Sequence, residues 1–294
     1  MKEVKFWLSY QDLHDKNPRS DSEAKVNFYN QNSEFITRSS KNPNPELAVI
    51  IPAYNESALI ARTLASINQS VKSQDNVNIF IVDNASTDDT AEIAQIFGAR
   101  VIKEPKKGIG QARQTGLESV PSSVKYILTT DADTFVPGQW VADHYNLLNS
   151  FSANFTYGKT DFLPDSKLKF IDNISFNLHI QACKLVHWLK EKNGQGSFIT
   201  GGSNNGFNKE LAILVGGYNP SLSMGEDTDL MRKISRYGKT EKVDSIVLTS
   251  ARRILGEGII NRSISRLKAN LFGDVKNEDY SNIKYEDYRE SDSN

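Results

Sequence analysis

The chain has 294 residues, 38% hydrophobic and 24% charged, enough to bury a sizeable core around one catalytic domain. A net charge of −1, with no dense Lys/Arg run, excludes a protein that works by neutralising nucleic-acid phosphates. Cys183 is the only cysteine, which excludes an internal disulfide and a cysteine-based zinc site and fits a reducing compartment.

Residues 1–45 are polar and rich in Asn, Ser, Asp and Pro, and read as a loosely ordered arm. The N-terminus lacks the apolar stretch of a signal peptide, and nowhere do about 18 apolar residues run together as a spanning helix requires. A cytoplasmic protein is expected, with peripheral contact to the inner face of the membrane compatible with that reading.

The core begins with the apolar run Leu47 to Ile51, a strand, followed by a helical pattern that puts Ile60, Leu64, Ile67 and Val71 on one face. Asn78 to Asp83 reads as the next strand. Ser86 to Asp89 (STDD) reads as the cap of a helix that stops at Gly98. A strand at Arg100 to Lys103, a helix around Gln111 to Ser119 and a strand at Tyr126 to Thr130 continue the alternation. Continuously apolar strands alternating with helices predict an α/β fold, a mostly parallel central sheet flanked by helices on both faces. Ligands of such sheets bind at the carboxyl ends of the strands.

After Asp133 the pattern is less regular. A helix is expected near Gln139 to Leu148, a strand near Phe155 to Lys159, and a buried amphipathic helix from Leu168 to Leu189 that holds Cys183 as a structural residue. A Gly/Asn-rich stretch, Thr200 to Gly206, leads to a short helix and then to Gly225 to Leu230 (GEDTDL), where Leu230, Ile234 and Tyr237 are expected on one side. Residues 274–294 form an acidic tail, expected to be mobile.

Three strands end in polar clusters: Pro52 to Glu56 (PAYNE), Asp83 to Ser86 (DNAS) and Asp131 to Asp133 (DAD). Parallel order brings all three to one edge. In an extended segment the carboxylates of Asp131 and Asp133 point the same way and can share Mg²⁺ or Mn²⁺, which bind through one or two carboxylates plus substrate phosphates. Lys106, Lys107 and Arg113 surround the glycines 108 and 110 between a strand and a helix, a turn able to receive an anion. Glu226 and Asp227 open a helix, where acidic residues suit the helix dipole. A lone carboxylate there also suits a general base, with the Glu226 side chain expected to leave in another direction.

Taken together, Val49 to Glu56, Ile81 to Thr90, Gly108 to Gly116, Asp131 to Asp133, Gly216 to Tyr218 and Glu226 to Leu230 resemble, in that order, the motifs of an inverting family 2 glycosyltransferase of the GT-A fold. The resemblance covers residues 47 to about 255. It implies a GT-A domain over 46–273, with a nucleotide-binding half at 46–133 and an acceptor-side half at 134–273. It also implies a nucleotide-diphosphate-sugar pocket lined by Pro52, Ala53, Tyr54, Glu56, Asp83, Lys107, Arg113 and Asp131, with Asp83 and Arg113 near the base and Arg252 and Arg253 at the diphosphate.

Asp131 and Asp133 become the metal ligands, Asp227 the catalytic base, and Gly202 and Glu226 residues of the acceptor side. The acceptor implied is a hydroxyl-bearing glycan or a lipid-linked one. Two departures from the family pattern stand out: Asn84 where a second Asp is common, and no histidine after His187 to serve as a late metal ligand. The alternatives are a sugar-nucleotide nucleotidyltransferase, whose glycine-rich N-terminal signature is replaced here by Pro52 to Glu56, and a catalytically silent binding module.

Overall fold

A computed structural model describes residues 42–71, 76–163, 202–222 and 225–250. The arm up to residue 41, the Leu168 to Leu189 helix with Cys183, Arg252, Arg253 and the acidic tail lie outside the described residues. The elements in chain order are β1 (Leu47–Ala53), α1 (Ile60–Val71), β2 (Val77–Asp83), α2 (Thr90–Ile96), β3 (Arg100–Lys103), α3 (Ile109–Ser119), β4 (Tyr126–Thr129), β5 (Thr134–Phe135), α4 (Trp140–Asn149), β6 (Phe155–Phe162), β7 (Asn205–Asn208), α5 (Lys209–Leu214), α6 (Glu226–Ile234) and β8 (Thr240–Thr249).

They build one sheet in the order β3-β2-β1-β4-β7-β6-β8-β5. β3, β2, β1 and β4 are parallel throughout. Every residue of β1, β2 and β4 is buried, as expected of strands covered on both faces. Beyond β4 the sheet is mixed, with β6 and β8 parallel to each other. The chain re-enters as β7, antiparallel to both β4 and β6, and β5 runs antiparallel to β8. The sheet is therefore mixed, with β3, β2, β1 and β4 forming a wholly parallel block.

Strand alternation divides the core. Leu47, Val49 and Ile51 face one layer with Ile60 and Leu64 of α1, Ile93 of α2 and Trp140 of α4. Ala48, Ile50 and Val82 face the other with Ala112 and Leu117 of α3, Ala212 of α5 and Leu230 and Ile234 of α6. With no acidic residue in its first turn and no basic one in its last, α1 is held by burial. Ile60, Leu64, Ile67 and Val71 each contribute roughly 1.5–3 kcal/mol, more than the 0.3–1 kcal/mol of a charge on a helix dipole. Gly116 lets α3 lie close on the sheet, since a Cβ there would stand 2.6 Å from Ile50 Cγ2 and 3.0 Å from Val82 Cγ2. That contact fixes the start of α3 beside the carboxyl ends of β1 and β2.

Three local expectations change. Asp131 to Asp133 is a turn rather than extended, closed by Thr134 N donating to Asp131 O at 3.2 Å. Asp89, the N-cap of α2, makes no side-chain cap bond. Asp88 does that work instead, accepting from Thr90 N and Ser57 N, both at 3.0 Å. α6 ends at Ile234, so Tyr237 leaves the buried face and is 65% exposed.

Candidate active site

The polar clusters that end β1 and β2 are stitched into one surface. Asn55 N donates to Ser86 Oγ at 3.1 Å, Thr87 N to Asn55 Oδ1 at 2.8 Å, and Glu56 N to Thr90 Oγ1 at 2.8 Å. Asn55 and Ala85 both adopt left-handed backbone, φ 51° and 63°, a conformation costly for residues other than glycine and often kept at functional loops. Pro52 and Ala53 close β1, and Ala53 O accepts from Asn84 N at 2.8 Å. Asp83, buried, accepts from Ser86 N through Oδ1 at 3.1 Å, which aims the carboxylate at the end of β2.

Asn84 answers the first departure from the family pattern. Its Nδ2 donates to Glu104 O at 3.2 Å and Lys106 O at 2.7 Å, while Oδ1 accepts from Gly108 N at 2.8 Å. Three bonds spend the amide on shaping the loop from Glu104 to Gly108. An Asp offers no donor to either carbonyl, so the loop built here requires the amide. That loop carries Lys107, whose Nζ donates to Tyr54 OH at 2.6 Å and lies 4.3 Å from its ring centroid. The pair forms a cationic, aromatic edge beside Asp83.

Arg113 sits on the buried face of α3, 2% exposed, and draws three separate segments together. Nη2 donates to Asp131 Oδ1 at 2.9 Å, Nη1 to Gly202 O at 3.1 Å, and Nε lies 3.0 Å from Glu226 Oε1. Gly202 has to be glycine here, because a Cβ would run into the guanidinium. The cation expected at the glycine turn beside Lys106 and Lys107 thus lies inside, as a strut between the turn after β4 and the start of α6. Two carboxylates beside it hold its protonated form firmly, against the pull of burial.

Asp227 is buried beside this strut. Burial, reinforced by the neighbouring Glu226 charge and opposed by Arg113, raises its carboxyl to about 7. A carboxylate whose affinity for a proton lies near neutrality is matched to general-base work. Glu226 is buried and ion-paired to Arg113, and its charge acts on Asp227 through space.

Asp131 and Asp133 are both partly exposed at the turn. Asp131 is tied to Arg113, and Asp133 accepts from Thr249 Oγ1 at 3.1 Å, while Asp133 O accepts from Ser250 N at 3.2 Å. The end of β8 therefore abuts the second carboxylate. Among the described residues no group of three or more His, Cys, Asp and Glu side chains is arranged to hold a metal. Two hard carboxylates still fit Mg²⁺ or Mn²⁺ where a substrate's phosphates complete the coordination.

Sequence reasoning missed Asn204. Its Nδ2 donates to Lys159 O at 2.8 Å and Ser245 O at 3.0 Å, so its Oδ1 faces Trp140 Nε1 and His144 Nε2, each at 2.9 Å. Trp140 only donates, which confirms that orientation. His144 must then carry its proton on Nε2 and accept from Thr156 Oγ1 at Nδ1, 2.7 Å away. This network joins α4, β6 and β8 to the start of β7 and so fixes Gly202 under Arg113. Only the Gly/Asn-rich composition of the stretch hinted at it.

The model of a family described as Glycosyl transferase family 2 matches residues 48–206. Over 283 residues the chain is 27% identical to the chondroitin synthase of Escherichia coli, a match covering 92% of this chain and 38% of that protein. It is also 27% identical over 124 residues to the glycosyltransferase AglE of Haloferax volcanii, covering 40% of each. The matches thus take in about two fifths of the length of these relatives. The fold is similar, at a TM-score of 0.53 and 18% identity over 81% of both chains, to the crystal structure of glucosyl-3-phosphoglycerate synthase from Mycobacterium tuberculosis with Mn²⁺, uridine diphosphate and phosphoglyceric acid.

Proposed function

The chain belongs to glycosyl transferase family 2, and on that premise we propose that it moves a sugar from a nucleotide-diphosphate sugar to a hydroxyl acceptor in one displacement, with inversion. Membership of this family favours glycosyl transfer over the nucleotidyltransferase alternative. The observation that carries the reading is Asp227, a buried carboxylate with a raised proton affinity, beside a buried arginine that also holds Asp131.

In the proposed reaction the acceptor oxygen attacks the anomeric carbon, the bond from that carbon to the diphosphate oxygen breaks, and the acceptor proton passes to the Asp227 carboxylate. No nucleophilic side chain is needed for a single displacement. The nucleotide is proposed to lie against Pro52, Ala53, Tyr54, Glu56, Asp83 and Lys107, with Arg113 positioning Asp131 and Glu226 from inside. Asp131 and Asp133 would hold the Mg²⁺ or Mn²⁺, which supplies charge neutralisation for the departing diphosphate.

A Mn²⁺ complex of a protein with a similar fold is in keeping with this. Arg252 and Arg253 follow closely on Ser250, whose amide bonds Asp133, which favours placing them at the diphosphate. Gly202 and Glu226 would border the acceptor, a growing glycan or lipid-linked sugar, as the likeness to a chondroitin synthase suggests. Among the described residues no helix is long and apolar enough to cross a membrane.

The test is release of nucleoside diphosphate from a panel of nucleotide sugars with Mn²⁺ or Mg²⁺ and oligosaccharide acceptors. Acceptor-dependent turnover that is lost on chelation and in Asp133→Ala supports the proposal. Metal-independent turnover, or none with any donor, contradicts it.

A further inference from the structure

Asn205 is 1% exposed, and neither its Oδ1 nor its Nδ2 has a hydrogen-bond partner among the described residues. The adjacent Asn204, equally buried, makes four bonds. One asparagine is used up in holding the fold; the next contributes nothing polar to it. Burying an amide with no partner costs free energy, so such a group in a native structure calls for an explanation.

Its place is set by strand register. Asn205 pairs with Thr129 of β4 and Tyr157 of β6, and directly paired residues share a face. Phe207, two residues on, packs with Phe155 and Tyr218 in the layer of α3 and α6. Thr129, Asn205 and Tyr157 therefore form a row on that face. Thr129 Oγ1 reaches Gly202 O at 3.3 Å, the same oxygen that Arg113 Nη1 reaches. The row thus starts at the Arg113 strut, on the side of the sheet where Glu226 and Asp227 open α6.

We propose that Asn205 is a substrate-binding residue whose amide receives a sugar hydroxyl. A diphosphate would use only the Nδ2 donor and set Oδ1 against negative charge. A hydroxyl both donates and accepts, so it satisfies the two atoms together. The proposal rests on the glycosyl-transfer reading above.

The experiment replaces Asn205 with Leu, which keeps the branched heavy-atom skeleton and removes both polar atoms. In the unliganded protein the melting temperature stays the same or rises, because an apolar group replaces an unpaired polar one. With the nucleotide sugar chosen by the turnover panel, kcat/KM falls about tenfold or more, while affinity for the matching nucleoside diphosphate with Mn²⁺ is unchanged. A rise in KM for the nucleotide sugar assigns the hydroxyl to the donor, and a rise in KM for the oligosaccharide assigns it to the acceptor.

A lower melting temperature overturns the proposal, since the amide would then be holding the fold. Unchanged kcat/KM for both substrates overturns it as well. Absence of turnover in the unsubstituted protein would instead be a failure of the transferase reading, and the melting arm is independent of that.

Discussion

Arg113 Nε lies 3.0 Å from Glu226 Oε1, with the two side chains 2% and 6% exposed, so the start of α6 is fastened to α3 by an ion pair inside the protein. Removing one partner of such a pair leaves a buried charge unopposed, at about 3–5 kcal/mol. Arg113→Met is expected to lose stability on that scale in chemical denaturation. Adding Glu226→Gln should restore part of the loss, a coupling of about 0.5–3 kcal/mol in a double-mutant cycle. Strictly additive losses would mean that the pair carries no stability.

Asn84→Asp tests the loop clamp. The substitution keeps the acceptor for Gly108 N but turns the donor that serves Glu104 O and Lys106 O into an acceptor. A stability loss of about 1–3 kcal/mol is expected, together with weaker binding of nucleoside diphosphate, because the same loop presents Lys107. Calorimetric titration and urea denaturation measure the two. Wild-type values in both would show that the amide is dispensable.

His144 makes the fold sensitive to acid. Burial lowers it from an ordinary 6.5 to about 4, so between those values the unfolded chain binds a proton that the folded chain refuses. Its contribution is fully present above pH 6.5 and is lost as pH falls toward 4, about 2 kcal/mol of it by pH 5. Asp227, with a raised value, works in the opposite sense, its contribution being lost as pH rises through about 7. The measurement is therefore the difference between the wild type and His144→Gln at pH 7 and pH 5. The variant should be the less stable at pH 7, and the gap should narrow at pH 5; a constant gap would contradict the assignment.

What the sequence made legible follows from range. The apolar runs of β1, β2 and β4 are local, and parallel order carries their polar ends to one edge, so Asp83, Asp131 and the loop after Ala53 were readable from pattern alone. Contacts that close the site are not local. Arg113 meets Asp131 and Glu226 across long stretches of chain, and no spacing rule reveals whether an arginine beside glycines turns outward or in. No strand is expected over Asn205 to Asn208 (NGFN), whose residues have the composition of a turn; antiparallel pairing on both sides makes it a strand. The Asn204 network is likewise a product of that pairing.

The most direct test of the whole account is Asp227→Asn, with kcat, donor Kd and pH dependence measured together. The variant keeps size and most hydrogen bonding but cannot accept the acceptor's proton. Turnover is expected to fall about 10²-fold or more with donor Kd nearly unchanged, the signature of a lost base rather than a lost ligand. In the wild type kcat/KM should rise with pH through about 7 as Asp227 gives up its proton, and in the variant that rise should vanish. Near-wild-type turnover in Asp227→Asn, with the same pH profile, would contradict the assignment of Asp227 as the base and the mechanism built on it.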